Sequence, residues 1–139
     1  VNSDRKLDLQ VICDHSTPRT TSHQRIDHVA FENGSTTFTG RIHILEHASG
    51  CNAQLKNRSL AMGNETTINA KPELEIYNDD VQCSHGSTIG QIDETQLFYM
   101  RSRGIKQKEA HAILCEGFLR ETISGPLSAS ATSNLIPER

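Results

Sequence analysis

The densest chemistry lies at Asp79–Gly90, D-D-V-Q-C-S-H-G-S-T-I-G, where two carboxylates, a thiol, an imidazole and two glycines share twelve positions. Cys83 and His85 stand at i and i+2. On an extended backbone they emerge on one face, where thiolate and imidazole can address one soft metal ion or cluster. Cys13 and His15 repeat the C-x-H spacing. Two ligands do not complete a tetrahedral site, so a further strand, chain or ligand has to contribute. The competing reading is a buried structural cysteine beside a turn histidine.

Other chemistries fail on geometry. Asp79 and Asp80 are adjacent and point to opposite faces, which argues against a shared proton and favours turn carboxylates capping nearby N–H groups. Ser84 and His85 diverge in the same way, and no G-x-S-x-G elbow frames the serine. Gly86–Gly90 lacks the lysine of a phosphate loop, so nucleotide hydrolysis is rejected. His43 and His47, with Leu45 between them, share a strand face if the segment is extended. No ligand motif joins them, and ordinary surface or interface histidines are the default.

The elements that must position these groups change character near residue 92. Before it, short alternating segments read as strands: Leu7–Ile12, Arg25–Phe31, Thr36–Leu45, Ala53–Ala61, Thr66–Ile68 and Glu73–Tyr77. In the last of these Leu74 and Ile76 share one face, and Glu73, Glu75 and Tyr77 the other. The pieces recur at intervals of roughly 15–20 residues without a literal repeat. Asn33–Gly34 is a hairpin signal and favours an antiparallel sandwich or barrel. Small interior residues and many Asn, Thr and Ser at corners favour a coil of parallel strands. Periodicity leaves both open.

After residue 92 the pattern is helical. Asp93 followed by Gln96 predicts a capping box, with a helix over Glu94–Arg103 that stops at Gly104. A second helix is predicted from about Lys106 to Ile123, with Ala110, Ile113, Leu114, Gly117 and Phe118 as its apolar stripe. Arg101, Arg103, Lys106 and Lys108 flank the turn between the helices, either as solvated surface or as a docking patch. The organisation expected is a β section over 1–92, a helical section over 93–123 and a flexible tail over 124–139, small and polar with two prolines.

Composition agrees with a β interior. There is no Trp, aromatics make up 4%, and Val, Ile, Leu and Ala must fill the core. A formal charge of -3 gives no broad drive toward nucleic acid or anionic lipid. No apolar run reaches membrane-span length. Cys13, Cys51, Cys83 and Cys115 form no C-x-x-C pair, which rejects a zinc knuckle and points to reduced thiols in a cytosol-like compartment. An opening Val directly before strand-like sequence suggests a piece of a longer polypeptide.

The stretch K-P-E-L-E-I-Y-N-D-D-V-Q-C-S-H-G-S-T-I-G-Q-I-D-E-T-Q-L-F-Y-M-R-S-R-G-I, Lys71–Ile105, closely resembles the C-terminal core of the SufB/SufD family, the scaffold subunits of the SUF iron–sulfur cluster assembly machine. A-H-A-I-L-C-E-G-F-L-R-E, Ala110–Glu121, resembles its closing helix. F-T-G-R-I-H-I, Phe38–Ile44, and K-N-R-S-L-A-M, Lys56–Met62, resemble degenerate rungs of its β-helix. The resemblance runs from about Asp4 to Ile123, is specific over Lys71–Gly104 and loose before Thr36. C-S-H-G and L-F-Y-x-R-S-R-G-I point to the SufD-type subunit.

The resemblance implies a mainly β fold, a right-handed parallel β-helix followed by a small two-helix section. It implies pairing with a SufB-like subunit through the β-helix, and a SufC-like ATPase docked on the helices, here through Phe98, Tyr99, Arg101, Arg103, Gly104 and Phe118. The histidine of the S-H-G element, matching His85, belongs at the intersubunit site of iron–sulfur cluster formation, with Cys83 as a companion. The cluster would be transient, built on the complex from iron and persulfide sulfur, and the chain a scaffold and not an enzyme. Cytoplasm, or plastid stroma in a eukaryote, is the implied compartment. Family members are much longer, which suggests a fragment or truncated paralogue with an open strand edge that invites a homodimer. The rival readings are a β-helix interaction module without cluster chemistry and a β-helix enzyme acting on polysaccharide or acyl groups.

Overall fold

The computed structural model describes residue 1 and residues 4–122; the tail expected over 124–139, and Ile123, lie outside the described residues. Six strands precede two helices: β1 Lys6–His15, β2 Thr21–Ala30, β3 Ser35–Ile44, β4 Cys51–Ala61, β5 Thr67–Ile76, β6 Val81–Gln91, α1 Glu94–Ser102 and α2 Gln107–Arg120. Odd strands form one sheet, β1-β3-β5, and even strands the other, β2-β4-β6. All four pairings are parallel, with Ser35 opposite both Lys6 and Thr67, and Leu55 opposite both Gln24 and His85. Each turn of the chain gives one strand to each sheet, so the β section is a β-helix-like coil of three rungs.

Parallel pairing overturns the hairpin expected at Asn33–Gly34. That corner joins strands of different sheets, and the backbone N–H of Thr67 in the next rung donates to Gly34 O at 3.1 Å. Corner thus stacks on corner, as also at Arg19 N to Ser49 O and Gly50 N to Asp80 O. Gly63 is needed for this stacking, since a Cβ there would stand 2.8 Å from the Glu32 Cα. The segments expected at Thr66–Ile68 and Glu73–Tyr77 are one strand, β5. Pro72 interrupts the pattern but sits on an edge strand, where its missing N–H costs no ladder bond on the open side.

The middle rung carries the core. β3 alternates strictly, with Thr36, Phe38, Gly40, Ile42 and Ile44 turned inward against Cys51, Ala53 and Leu55 of β4. On the outer face of the odd sheet, Arg41 binds Glu73 at 3.2 Å and Glu75 at 3.4 Å, which places both glutamates on the face expected for them.

The helices close the even sheet. Asp93 caps α1 by accepting from Thr95 N at 2.8 Å, and Gly104, at φ +88°, ends it. α2 buries a face one step round from the expected stripe. Ala110 and Cys115 are buried, Phe118 and Leu119 pack on Val29, Leu60 and Met62, and Ile113 and Gly117 face outward. Cys115, outside the expected stripe, is fully buried there as a small core residue. Burial pushes its thiol up to about 11.

Candidate functional site

The stretch Asp79–Gly90 is a short corner followed by a strand. Its turn is made by Asn78, whose Oδ1 accepts from Asp80 N at 2.9 Å, so the aspartates are not the capping groups. Gly86 and Gly90 lie inside β6 and shape no turn; a Cβ at Gly86 would meet nothing within 4 Å. The sequence showed the turn residues but hid the strand, because Gly-Ser-Thr is poor strand sequence and becomes extended here only by pairing along β4.

Among the described residues β6 has β4 on one side and no strand on the other, leaving a row of backbone donors and acceptors open. Alternate residues Cys83, His85 and Ser87 lie in register with inward residues Ala53, Leu55 and Asn57 of β4, and so continue the inner face of the coil. Cys83 is half-buried against the main core, and burial pushes its thiol up. His85 is exposed. Ser87 donates to Asn57 Oδ1 at 3.2 Å, tying β6 to the buried Asn57.

Cys83 and His85 are therefore brought to one face of one open strand, as their spacing predicts. No group of three or more His, Cys, Asp or Glu able to hold a metal occurs among the described residues. The pair offers two soft or borderline donors, fewer than an iron–sulfur cluster requires. The other histidines are not gathered there. His43 bonds Asp14 Oδ1 at 3.1 Å and meets the Tyr77 ring edge-on, whereas His47 donates to Ser16 O at 2.9 Å.

The second candidate surface is on the helices. Phe98 and Tyr99 are 72% and 58% exposed, unusual for large aromatics. The Arg103 guanidinium lies 5.0 Å from the Tyr99 ring centroid, holding that ring in a cation–π contact. Arg101 and Gly104 are exposed beside Phe98, along a groove continued by Ile105 and Lys106. Phe118, in contrast, is half-buried beneath Arg58, 4.7 Å from its ring centroid, and supports the helix from below.

Arg58 is the positioning residue that sequence reasoning missed. Its Nη2 donates to Asp27 Oδ2 at 2.6 Å and to Phe118 O at 3.1 Å, and its Nη1 to Glu121. Thr122 donates to the same Asp27 oxygen, so one carboxylate on β2 fastens the end of α2 to the sheet. Only the alternation of β2 and β4 could have hinted at it, since Asp27 and Arg58 are direct register partners on the outer face. Burial alone would push the Asp27 carboxyl up, but bonds from Arg58, Thr122 and Arg25 outweigh it and hold the group below the usual carboxylate range.

A depressed folded value gives stability present above the ordinary aspartate value and lost as pH falls through the folded one. Acidification below about pH 4 is expected to loosen α2 first, read as faster amide exchange in α2 than in β4. An Asp27→Asn chain with equal α2 protection, relative to the unfolded chain at each pH, at pH 3 and pH 6 would agree; the same acid loss of protection in that variant would refute the assignment.

Comparison with known proteins follows the same geometry. Residues 1–118 match the family profile described as SUF system FeS cluster assembly, SufBD core domain. The chain is 39% identical over 114 residues to the iron–sulfur cluster assembly protein SufD of Escherichia coli, covering 82% of this chain and 27% of that protein. It is 39% identical over 126 residues to the chloroplastic protein ABCI7 of Arabidopsis thaliana, covering 87% and 26%. A SufBD family protein of Synechocystis is 36% identical over 119 residues, covering 82% and 26%. The chain spans about a quarter of the length of these relatives. With parallel rungs, a closing helix pair and a match over nearly all the described residues, the chain belongs to the SufB/SufD core family.

Proposed function

We propose that the chain acts in iron–sulfur cluster assembly as a SufD-type scaffold core, its coil a right-handed parallel β-helix. The observation that carries this reading is the open strand β6, which presents His85 and the half-buried Cys83 on one face with too few donors to complete a site. A SufB-like subunit that pairs along the β5 and β6 edges would supply the rest. Ile76, Tyr77 and Ile89 are exposed near those edges, and a partner strand would cover them.

The nascent cluster is then cargo built between two chains, and His85 its candidate ligand from this one. Cys83, with its thiol pushed up by burial, is the weaker donor near neutral pH. Phe98, Tyr99, Arg101, Arg103 and Gly104 form the docking face for a SufC-like ATPase, with Phe118 bracing α2 behind them. This assigns the chain no turnover chemistry of its own. Relatives from bacteria and from a chloroplast support a cytoplasmic or stromal setting, and among the described residues no helix is long and apolar enough to cross a membrane.

The test is co-expression with SufB- and SufC-like partners and anaerobic reconstitution, followed by visible absorbance. His85→Ala is expected to leave pairing intact and lower cluster yield roughly tenfold, the loss typical of a metal ligand or its support. An unchanged yield would sink the site assignment. A second reading, a homodimer through the same edges, is favoured by their exposed apolar residues. It predicts a concentration-dependent dimer without partner in sedimentation.

A further inference from the structure

Asn57 sits on the inner face of β4, in the middle rung, and is fully buried. Its Nδ2 donates to Ile26 O at 3.2 Å and lies 3.4 Å from His28 Nδ1, both on β2. A carbonyl only accepts, so Ile26 O identifies that end of the amide as the nitrogen. The Oδ1 end takes Ser59 Oγ at 3.3 Å and Ser87 Oγ at 3.2 Å, and toward an amide oxygen both hydroxyls donate. One side chain thus bonds to β2, to its own strand and to β6.

An apolar residue would fill an inner strand position without the cost of burying an amide. A buried amide with its bonds made specifies one arrangement of its neighbours instead. β6 is the neighbour that needs it. Gly86, Ser87 and Gly90 have little strand preference, and glycine-rich polar strands slip easily in register. A slip of one residue would turn Cys83 and His85 to the outer face of the coil. A slip of two would carry them about 7 Å along β4. Among the described residues no other side chain of 83–91 makes a hydrogen bond, so within that span Ser87 alone pins the register.

We infer that Asn57 is a positioning residue for the cluster site, acting through Ser87. It fixes the register of β6, and with it the face and the height at which His85 and Cys83 are presented. Asn57 itself touches neither metal nor sulfur. The bond to Ile26 O holds the amide from behind, so its oxygen stays turned to β6. This inference rests on the reading of His85 as a cluster ligand, and its test separates the two.

The first arm uses the 139-residue chain alone and nuclear magnetic resonance. Ser87→Ala removes one hydroxyl from an exposed residue and leaves the core intact. It is expected to speed amide exchange in β6 roughly fivefold, as one net hydrogen bond is lost, with β3 unchanged. The contact between the His85 ring and its register partner Leu55 should weaken, and Ser87→Thr should restore both readouts. The second arm is anaerobic cluster reconstitution on the complex with SufB- and SufC-like partners. Ser87→Ala should lower the yield about threefold, less than the tenfold or more typical of a group bonded directly to a ligand. Adding Ser87→Ala to Asn57→Ala should lower it no further than Asn57→Ala alone. Unchanged exchange and an unchanged His85–Leu55 contact in Ser87→Ala would overturn the positioning role. Faster exchange with full yield, while His85→Ala lowers the yield, would overturn the link to the site and leave the ligand reading standing. Full yield in His85→Ala would overturn that reading, and this inference with it.

Discussion

Replacing Arg58 with Met is expected to lower the unfolding free energy by about 3–5 kcal/mol, the range for breaking one side of a buried ion pair. The Asp27 side chain is fully buried and that of Arg58 only 26% exposed. Methionine fills much of the arginine stem's volume but leaves the carboxylate without its main donor. Arg25 remains 3.2 Å away and, although its side chain is 38% exposed and its pull is partly screened, it still compensates some of the loss, so the low end of the range is expected. Asp27 Oδ1 is already buried without a partner among the described residues, so without Arg58 the carboxylate keeps only Thr122 and Arg25, both at Oδ2. Since a small domain holds only about 5–15 kcal/mol in total, the variant should be close to unfolding at physiological temperature.

The same change should act on function through α2. Arg58 holds Phe118 by ring contact and by its carbonyl, and Phe118 braces the helix whose neighbour displays Phe98 and Tyr99. A double variant, Asp27→Leu with Arg58→Met, removes charge and partner together and should recover most of the lost stability. If the docking face depends on the latch only through helix position, the double variant should also recover ATPase capture. Urea denaturation of the parent, single and double variants decides it. A single-variant loss below about 1 kcal/mol would show the pair to be no more than a surface bridge.

How far the sequence could be read depends on the range of the interaction. Helix ends were legible because caps are local: Asp93 and Gly104 set the limits of α1 within a residue. β3 was legible because its alternation is complete. β6 was not, since Gly86, Ser87 and Gly90 have little strand preference and are extended only through β4, about thirty residues upstream. The choice between antiparallel and parallel pairing is also non-local, and a single Asn-Gly dipeptide pointed the wrong way. At the site, the i, i+2 spacing placed Cys83 and His85 on one face correctly. The Asp27–Arg58–Thr122 latch joins three elements that only the folded coil brings together.

Gly40 tests whether the coil's interior is close-packed beneath that site. A Cβ there would lie 2.6 Å from Phe38 Cζ and 2.7 Å from Leu55 Cδ2, closer than carbon atoms approach. Alanine usually stabilises a strand interior relative to glycine by roughly 0.5–1 kcal/mol. Here overpacking should reverse the sign, for a net loss of about 1–3 kcal/mol. Phe38→Ala alone should cost about 3–5 kcal/mol by opening a cavity at a residue 1% exposed. In the Phe38→Ala background the clash with the ring is gone, and Leu55 Cδ2, the other atom too close to the added methyl, can shift into the space the ring vacated. Gly40→Ala should then become neutral or stabilising, giving a coupling well above the 0.3–0.5 kcal/mol scatter of independent sites. Leu55 is the register partner of His85, so the single Gly40→Ala variant should also shift the His85 ring resonances, and the double variant should shift them less. Additive energies from urea denaturation of the four chains would mean that the Phe38 ring yields freely, and that this interior does not hold β6 in place.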